Sequence, residues 1–167
     1  MQRLDGLLSR IEDALHLLGC ASLVLIAVLI NGDIFGRLLF STPLQFQFEM
    51  VEFYLMPAVA TLSLSRVFRD GGHLALEFIT PEIFGSFWPA VRIFMLVAAA
   101  IFFVAVTIMS GQLAAHALSE NLVYFGIVDW PLGWAYLSVP VGCAVLTARL
   151  LFETTTTRSV QSATAHH

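Results

Sequence analysis

Residues 66–77 read Arg-Val-Phe-Arg-Asp-Gly-Gly-His-Leu-Ala-Leu-Glu, an island of charge between two long apolar runs, Phe53–Leu64 and Ile93–Met109. That alternation leaves little choice of fold. Of 167 residues, 58% are hydrophobic and 12% charged, and a soluble domain of this size has no interior able to hide so much apolar surface. The solvent for most of the chain is therefore lipid. In lipid every backbone N–H and C=O must be satisfied within the chain, which continuous apolar runs achieve as helices. Gly71 and Gly72 make the island a turn, since glycine accepts the backbone conformations that reversals need. Arg66 and Arg69 put that turn on the cytoplasmic side by the positive-inside bias, and the other assignments follow from it.

The expected fold is an all-α integral membrane protein with four transmembrane helices at about 14–40, 46–67, 91–113 and 131–151, forming one domain over residues 1–152. Arg3, Arg10, Arg66, Arg69, Arg92, Arg149 and Arg158 then fall on one side and Arg37 alone on the other, so both termini are cytoplasmic, N-in/C-in. Met1–Leu18 carries Leu4, Leu7, Leu8, Ile11, Leu15 and Leu18 at helical spacing among Arg3, Asp5, Arg10, Glu12 and Asp13. Such an amphipathic helix either lies along the inner interface or extends the first span inward. Its acids and the lack of a small-residue cleavage site argue against a secretory signal. A second interfacial helix is expected over Leu74–Trp88, where Glu77, Pro81 and Glu82 interrupt the apolar pattern. The polar tail, 153–167, is expected to be disordered in the cytoplasm.

Within the spans, Pro57 predicts a kink near the middle of the second helix, and Pro140 with Gly142 an interruption in the middle of the fourth. Gly111 and the alanines at 98–100, 114 and 115 invite close helix approach, as does the Ser138–Gly142 spacing. His116–Asp129 reads as a short outer loop, with Trp130 and Trp134 at the interface beyond it.

Charges near the span ends carry more information than those in loops, because they are costly unless paired. Asp33 and Arg37 stand at i and i+4 and can pair on one helix. Glu49 and Glu52 share a face at a similar depth, so an Arg37–glutamate pair between the first two spans is expected. Arg66, Arg69 and His73 are expected to order the inner loop, His73 by donating a hydrogen bond. Nothing resembles a nucleophile with its base, a phosphate loop or a metal cluster, so the chain is not read as an enzyme. Cys20 and Cys143 both sit in apolar runs as free thiols. A net charge of −4 without a single lysine argues against nucleic acid. Haem on His16, His73 or His116 is disfavoured, because His16 and His116 belong at opposite depths and His73 follows a glycine turn.

Four features together resemble the small (Q-type) membrane subunit of tripartite ATP-independent periplasmic (TRAP) transporters: Arg37-Leu-Leu-Phe40, Phe48-Glu49-Met50-Val51-Glu52, Arg69-Asp70-Gly71-Gly72-His73-Leu74 and Pro140-Val141-Gly142. The likeness spans roughly Leu15–Leu151. Two departures preserve charge: Phe48 stands where the family often has tryptophan beside adjacent acids, and Glu77 where an aspartate often follows the histidine. The resemblance implies a scaffold subunit in the bacterial inner membrane, for sodium-coupled uptake of carboxylates. Its implied partners are a large membrane subunit of about twelve spans, which holds substrate and sodium, and a periplasmic binding protein. This chain would then hold no substrate site and no cofactor of its own, with membrane lipid as its surroundings. Arg37, Glu49, Glu52, Arg66, Arg69 and His73 would be structural or inter-subunit residues. The rival class is a self-contained four-span protein, either a homo-oligomeric channel or the membrane anchor of a respiratory enzyme.

Overall fold

The computed structural model describes the backbone of residues 2–41, 46–70, 88–126 and 128–164, with side chains described over 5–39, 41, 46–70, 90–126 and 128–154. Among the described residues four helices are long and apolar enough to cross a membrane, at Asp5–Leu39, Gln47–Arg69, Ala90–Ser119 and Leu132–Thr154. These coincide with the four expected spans. His73 and the expected interfacial helix before Trp88 lie outside the described residues.

In chain order the elements are α1 (Gln2–Phe40), α2 (Gln47–Arg69), α3 (Trp88–Ser119), β1 (Val123–Phe125), β2 (Asp129–Pro131), α4 (Leu132–Tyr136) and α5 (Ser138–Thr164). Helix α1 packs on α2 and, at its inner end, on α5; α2 packs on α5, and α3 runs along α5. The ends of α1 and α5 meet, so both termini lie at the same end of the bundle.

Residues 2–18 are not a separate surface helix. They continue α1 without a break, giving 39 residues that extend about 58 Å at 1.5 Å per residue, roughly twice the hydrocarbon thickness of a bilayer. The amphipathic pattern is also turned inside out. Leu7, Ile11, Leu17 and Leu18 are exposed, whereas Glu12 and Gly19 face other helices. A soluble helix would bury the leucines. Here apolar side chains lose nothing by facing lipid, and the charges gain partners by facing protein.

Pro57 acts where expected, by a specific device. It lacks an N–H and its ring crowds the carbonyl one turn earlier, and the turn just before it, Val51–Leu55, opens into a π-helix. The ladder breaks again at Ser63, between Met56–Leu62 and Leu64–Arg69. The fourth span departs from expectation. Its break falls at Leu137, near one end, and Pro140 occupies the first turn of α5, where a missing N–H costs no helical bond. Gly142 breaks nothing; it lets α5 approach α2 so closely that a Cβ there would run into the Thr61 carbonyl. The Thr61 hydroxyl lies 2.7 Å from the Pro57 carbonyl and 3.0 Å from that of Ser138, binding the same two helices.

The core at the inner half joins Leu96 and Ala100 of α3 to Leu146 and Leu150 of α5, with Leu64 and Phe68 of α2 against them. Of the small residues singled out in α3, Ala100 and Ala114 are buried, while Ala98 and Ala115 are exposed. Helix α3 ends with Asn121 at φ 48°, the Asn121 N–H 3.4 Å from the Leu118 carbonyl and the Leu122 N–H 2.9 Å from that of Ala117. That is the left-handed closure asparagine accepts at a helix end.

The expected outer loop is shorter and more ordered than the sequence suggests. After α3, strands β1 and β2 pair antiparallel, Val123 opposite Pro131 and Phe125 opposite Asp129. The tail also differs from expectation, since α5 continues as helix to Thr164; extending a formed helix is cheap compared with starting one.

Candidate functional site

Arg66 and Arg69 occupy the last turn of α2, three residues apart and so on one face. Antiparallel packing brings them beside the acids at the start of α1. Arg69 Nη1 donates to Glu12 Oε2 at 3.0 Å and Nη2 to Asp13 Oδ1 at 2.6 Å. Arg66 Nη1 donates to the same Asp13 oxygen at 2.7 Å, and its Nε to Asp70 Oδ2 at 3.2 Å. Glu12 is fully buried, and its other oxygen accepts from the buried Ser65 hydroxyl at 2.7 Å. From α5, Arg149 reaches in: Nη1 donates to Asp5 at 2.8 Å, and Nε stands 3.9 Å from Glu12 without a hydrogen bond of its own.

Three helices thus converge on one buried carboxylate. A buried charge is tolerable only when paired and hydrogen-bonded, and Glu12 has both. Arg92 of α3 extends the same polar end by donating to Glu153 of α5 at 2.7 Å. Arg66 and Arg69 thus grip α1, and both also reach Asp70 at the end of α2; the loop they were expected to order lies outside the described residues. Glu12, Asp13, Asp5 and Arg149 escaped notice as the other half of that grip. The available signal was the paired acids 12–13, which share a side of the membrane with the paired arginines 66 and 69.

At the opposite end, Glu49 in the first turn of α2 accepts a 2.8 Å hydrogen bond from Trp130 Nε1 in β2. The Tyr54 hydroxyl donates to the Pro131 carbonyl at 2.7 Å. Phe53 meets Tyr124 with ring centroids 4.7 Å apart, and Tyr54 meets Trp130 at 5.6 Å. Gly126 sits so close to the Glu49 carboxylate that a side chain would collide with it. The hairpin is therefore fastened to the outer end of α2 by one of its two faces.

The expected Arg37–glutamate pair is absent. Arg37 pairs with Asp33 on its own helix at 2.8 Å, the i,i+4 partner being nearer than any carboxylate across the gap. Asp33 is almost buried, so α1 directs its carboxylate at protein while Arg37 stays half-exposed. Glu49 serves Trp130, and Glu52 is exposed with no hydrogen bond or ion pair among the described residues. Both cysteines are free.

These features define a multi-pass helical membrane protein in which the buried Glu12 holds α1 in register with α2, and Asp33 is paired within α1. The chain belongs to the DctQ component family of tripartite ATP-independent periplasmic transporters, whose family model matches residues 26–158. It is thus a membrane component of a transporter that works with other TRAP subunits. No curated protein and no solved structure gives a significant match.

Proposed function

We propose that this chain is the stationary scaffold subunit of a sodium-coupled, binding-protein-dependent secondary transporter that imports carboxylates such as four-carbon dicarboxylates, sialic acids or other organic acids. It sits in the bacterial inner membrane with both termini cytoplasmic, the side favoured by seven of its eight arginines. Its partners are a large membrane subunit of about twelve spans, which carries substrate and sodium, and a periplasmic binding protein. Family membership supports the setting.

One observation carries the scaffold role: Glu12 of α1, the most deeply buried carboxylate among the described residues, is committed to Arg69 of α2, with Arg149 of α5 beside it. A group held in this way fixes helices against one another. A subunit that must stay put while its neighbour moves needs such internal bracing, and packing against α2 and α5 is what sets the tilt of so long a helix as α1.

Reconstitution tests the proposal. Vesicles holding the large subunit and this chain should take up substrate when the binding protein is added, and vesicles without this chain should fall far short. Full-rate uptake by the large subunit and binding protein alone would remove the scaffold role.

A further inference from the structure

We propose that the outer hairpin, β1 and β2, is a membrane-interface anchor whose tip rests in the outer-leaflet lipid boundary and not in water. Strand alternation gives the hairpin two faces. Tyr124 and Trp130 sit opposite each other on one, packed on Phe53 and Tyr54 of α2. Phe125 belongs to the other and is 85% exposed, the most exposed large apolar side chain among the described residues.

The turn is more apolar than a reversal in water needs. Hairpins that reverse in solvent favour asparagine, aspartate and glycine at the tip. Gly126 and Asp129 meet that preference here, but Phe125 and Val128 stand beside them, both apolar and both exposed. The hairpin also cannot project freely outward. Its bonds to Glu49 and Tyr54 hold it beside the first two turns of α2, where the apolar part of that span begins.

Other large apolar side chains are exposed at the same end of the bundle. Trp134 of α4 is 66% exposed and Phe48 of α2 67%, and Leu118 and Leu122 at the end of α3 are exposed as well. Tryptophan and its aromatic neighbours at the end of a span favour the headgroup boundary, where an apolar ring and a polar edge are both accommodated. The hairpin carries no cation, and Asp129 is exposed opposite Phe125, so nothing on it offers a seat to an acidic protein surface. The surface fits lipid.

Spin labelling tests this. Cys20 is exposed and is replaced in a Cys20→Ala background; Cys143 is buried and stays. A nitroxide is attached at Phe125→Cys, with Met109→Cys on the exposed side of α3 and Glu120→Cys as references. The full chain is assembled with its transporter partners in phosphatidylcholine vesicles, and collision with oxygen is compared with collision with a water-soluble nickel chelate. The expected oxygen-to-nickel ratio at position 125 is several-fold above that at 120 and approaches that at 109. A ratio equal to that at 120 would place the tip in water and overturn the proposal. Poor access to both probes would place it under a protein partner and overturn it equally. Phe125 is 85% exposed, so a cysteine there removes little packing among the described residues, and a mobile, two-component spectrum at 109 would expose misfolding independently.

Discussion

Arg69 Nη1 lies 3.0 Å from Glu12 Oε2 across the α1–α2 contact, and Glu12 has no exposure at all. Two residues 57 positions apart in the chain are therefore bound more intimately than either is to its neighbours on its own helix. Removing one partner strands a buried charge, which costs about 3–5 kcal/mol; removing both costs far less than the sum. Glu12→Ala and Arg69→Ala should each sharply lower the midpoint of denaturant-induced loss of helix signal in detergent. The double variant should lie close to either single one. Additive losses would show that the pair is not coupled.

Glu12→Gln separates charge from shape. The amide still accepts the Ser65 hydroxyl but leaves Arg69 with a neutral neighbour, and Arg149 with it. Stability should fall less than for Glu12→Ala but clearly below the parent, and by a similar amount at low and high salt, because salt screens a buried pair little. Stability equal to the parent would count against the ion pair as the main contribution.

At the other end, Trp130→Phe removes a hydrogen bond to a carboxylate, worth about 1.5–3 kcal/mol, and Tyr54→Phe one to a carbonyl, worth about 0.5–1.5 kcal/mol. Hydrogen exchange at amides 123–131 should speed up in both, more in the first. Exchange near Glu12 should not change, since the inner cluster is held by separate residues.

Gly142→Val should force α2 and α5 apart at Thr61, an overpacking cost of about 1–3 kcal/mol. Gly6→Ala is the control: nothing lies near its added Cβ, and the better helix former should leave stability equal or slightly higher. Equal effects from the two substitutions would show that close approach at Gly142 is unimportant.

The π-turn makes its own prediction. Deleting one residue from 51–53 in a Pro57→Ala background lets α2 close into a regular helix whose two parts keep nearly their relative orientation, because the wide turn holds one residue more per revolution. Glu49 should keep its bond to Trp130, visible as an unchanged Trp130 environment in fluorescence, and the Arg69–Glu12 pair should survive; a changed Trp130 environment would show that the wide turn itself aims α2 at the hairpin.

The four spans were legible because length and apolarity alone decide what can cross a bilayer. Pro57 was legible in place, since its missing N–H disturbs any helix. The inner cluster was not. Acids at the start of an amphipathic helix read as a solvent face, and only the inverted burial of α1 reveals that Glu12 points at protein. The Asp33–Arg37 pair was legible from its i,i+4 spacing, whereas similar depth on two helices is too weak a signal to find a partner for Arg37 across them. The hairpin was hard to see because Gly126 and Asp129 are the only turn residues in an otherwise apolar run, and each of its strands is three residues long.

Helix α2 supplies Arg66 and Arg69 to the inner grip and Glu49, Phe53 and Tyr54 to the outer one, and its hydrogen-bond ladder is interrupted twice in between. It therefore behaves as a jointed strut. A push on either end of the bundle would be taken up by flexing at the π-turn and at Ser63 before it could prise open either fastening, so that the subunit yields between its two grips and stays whole.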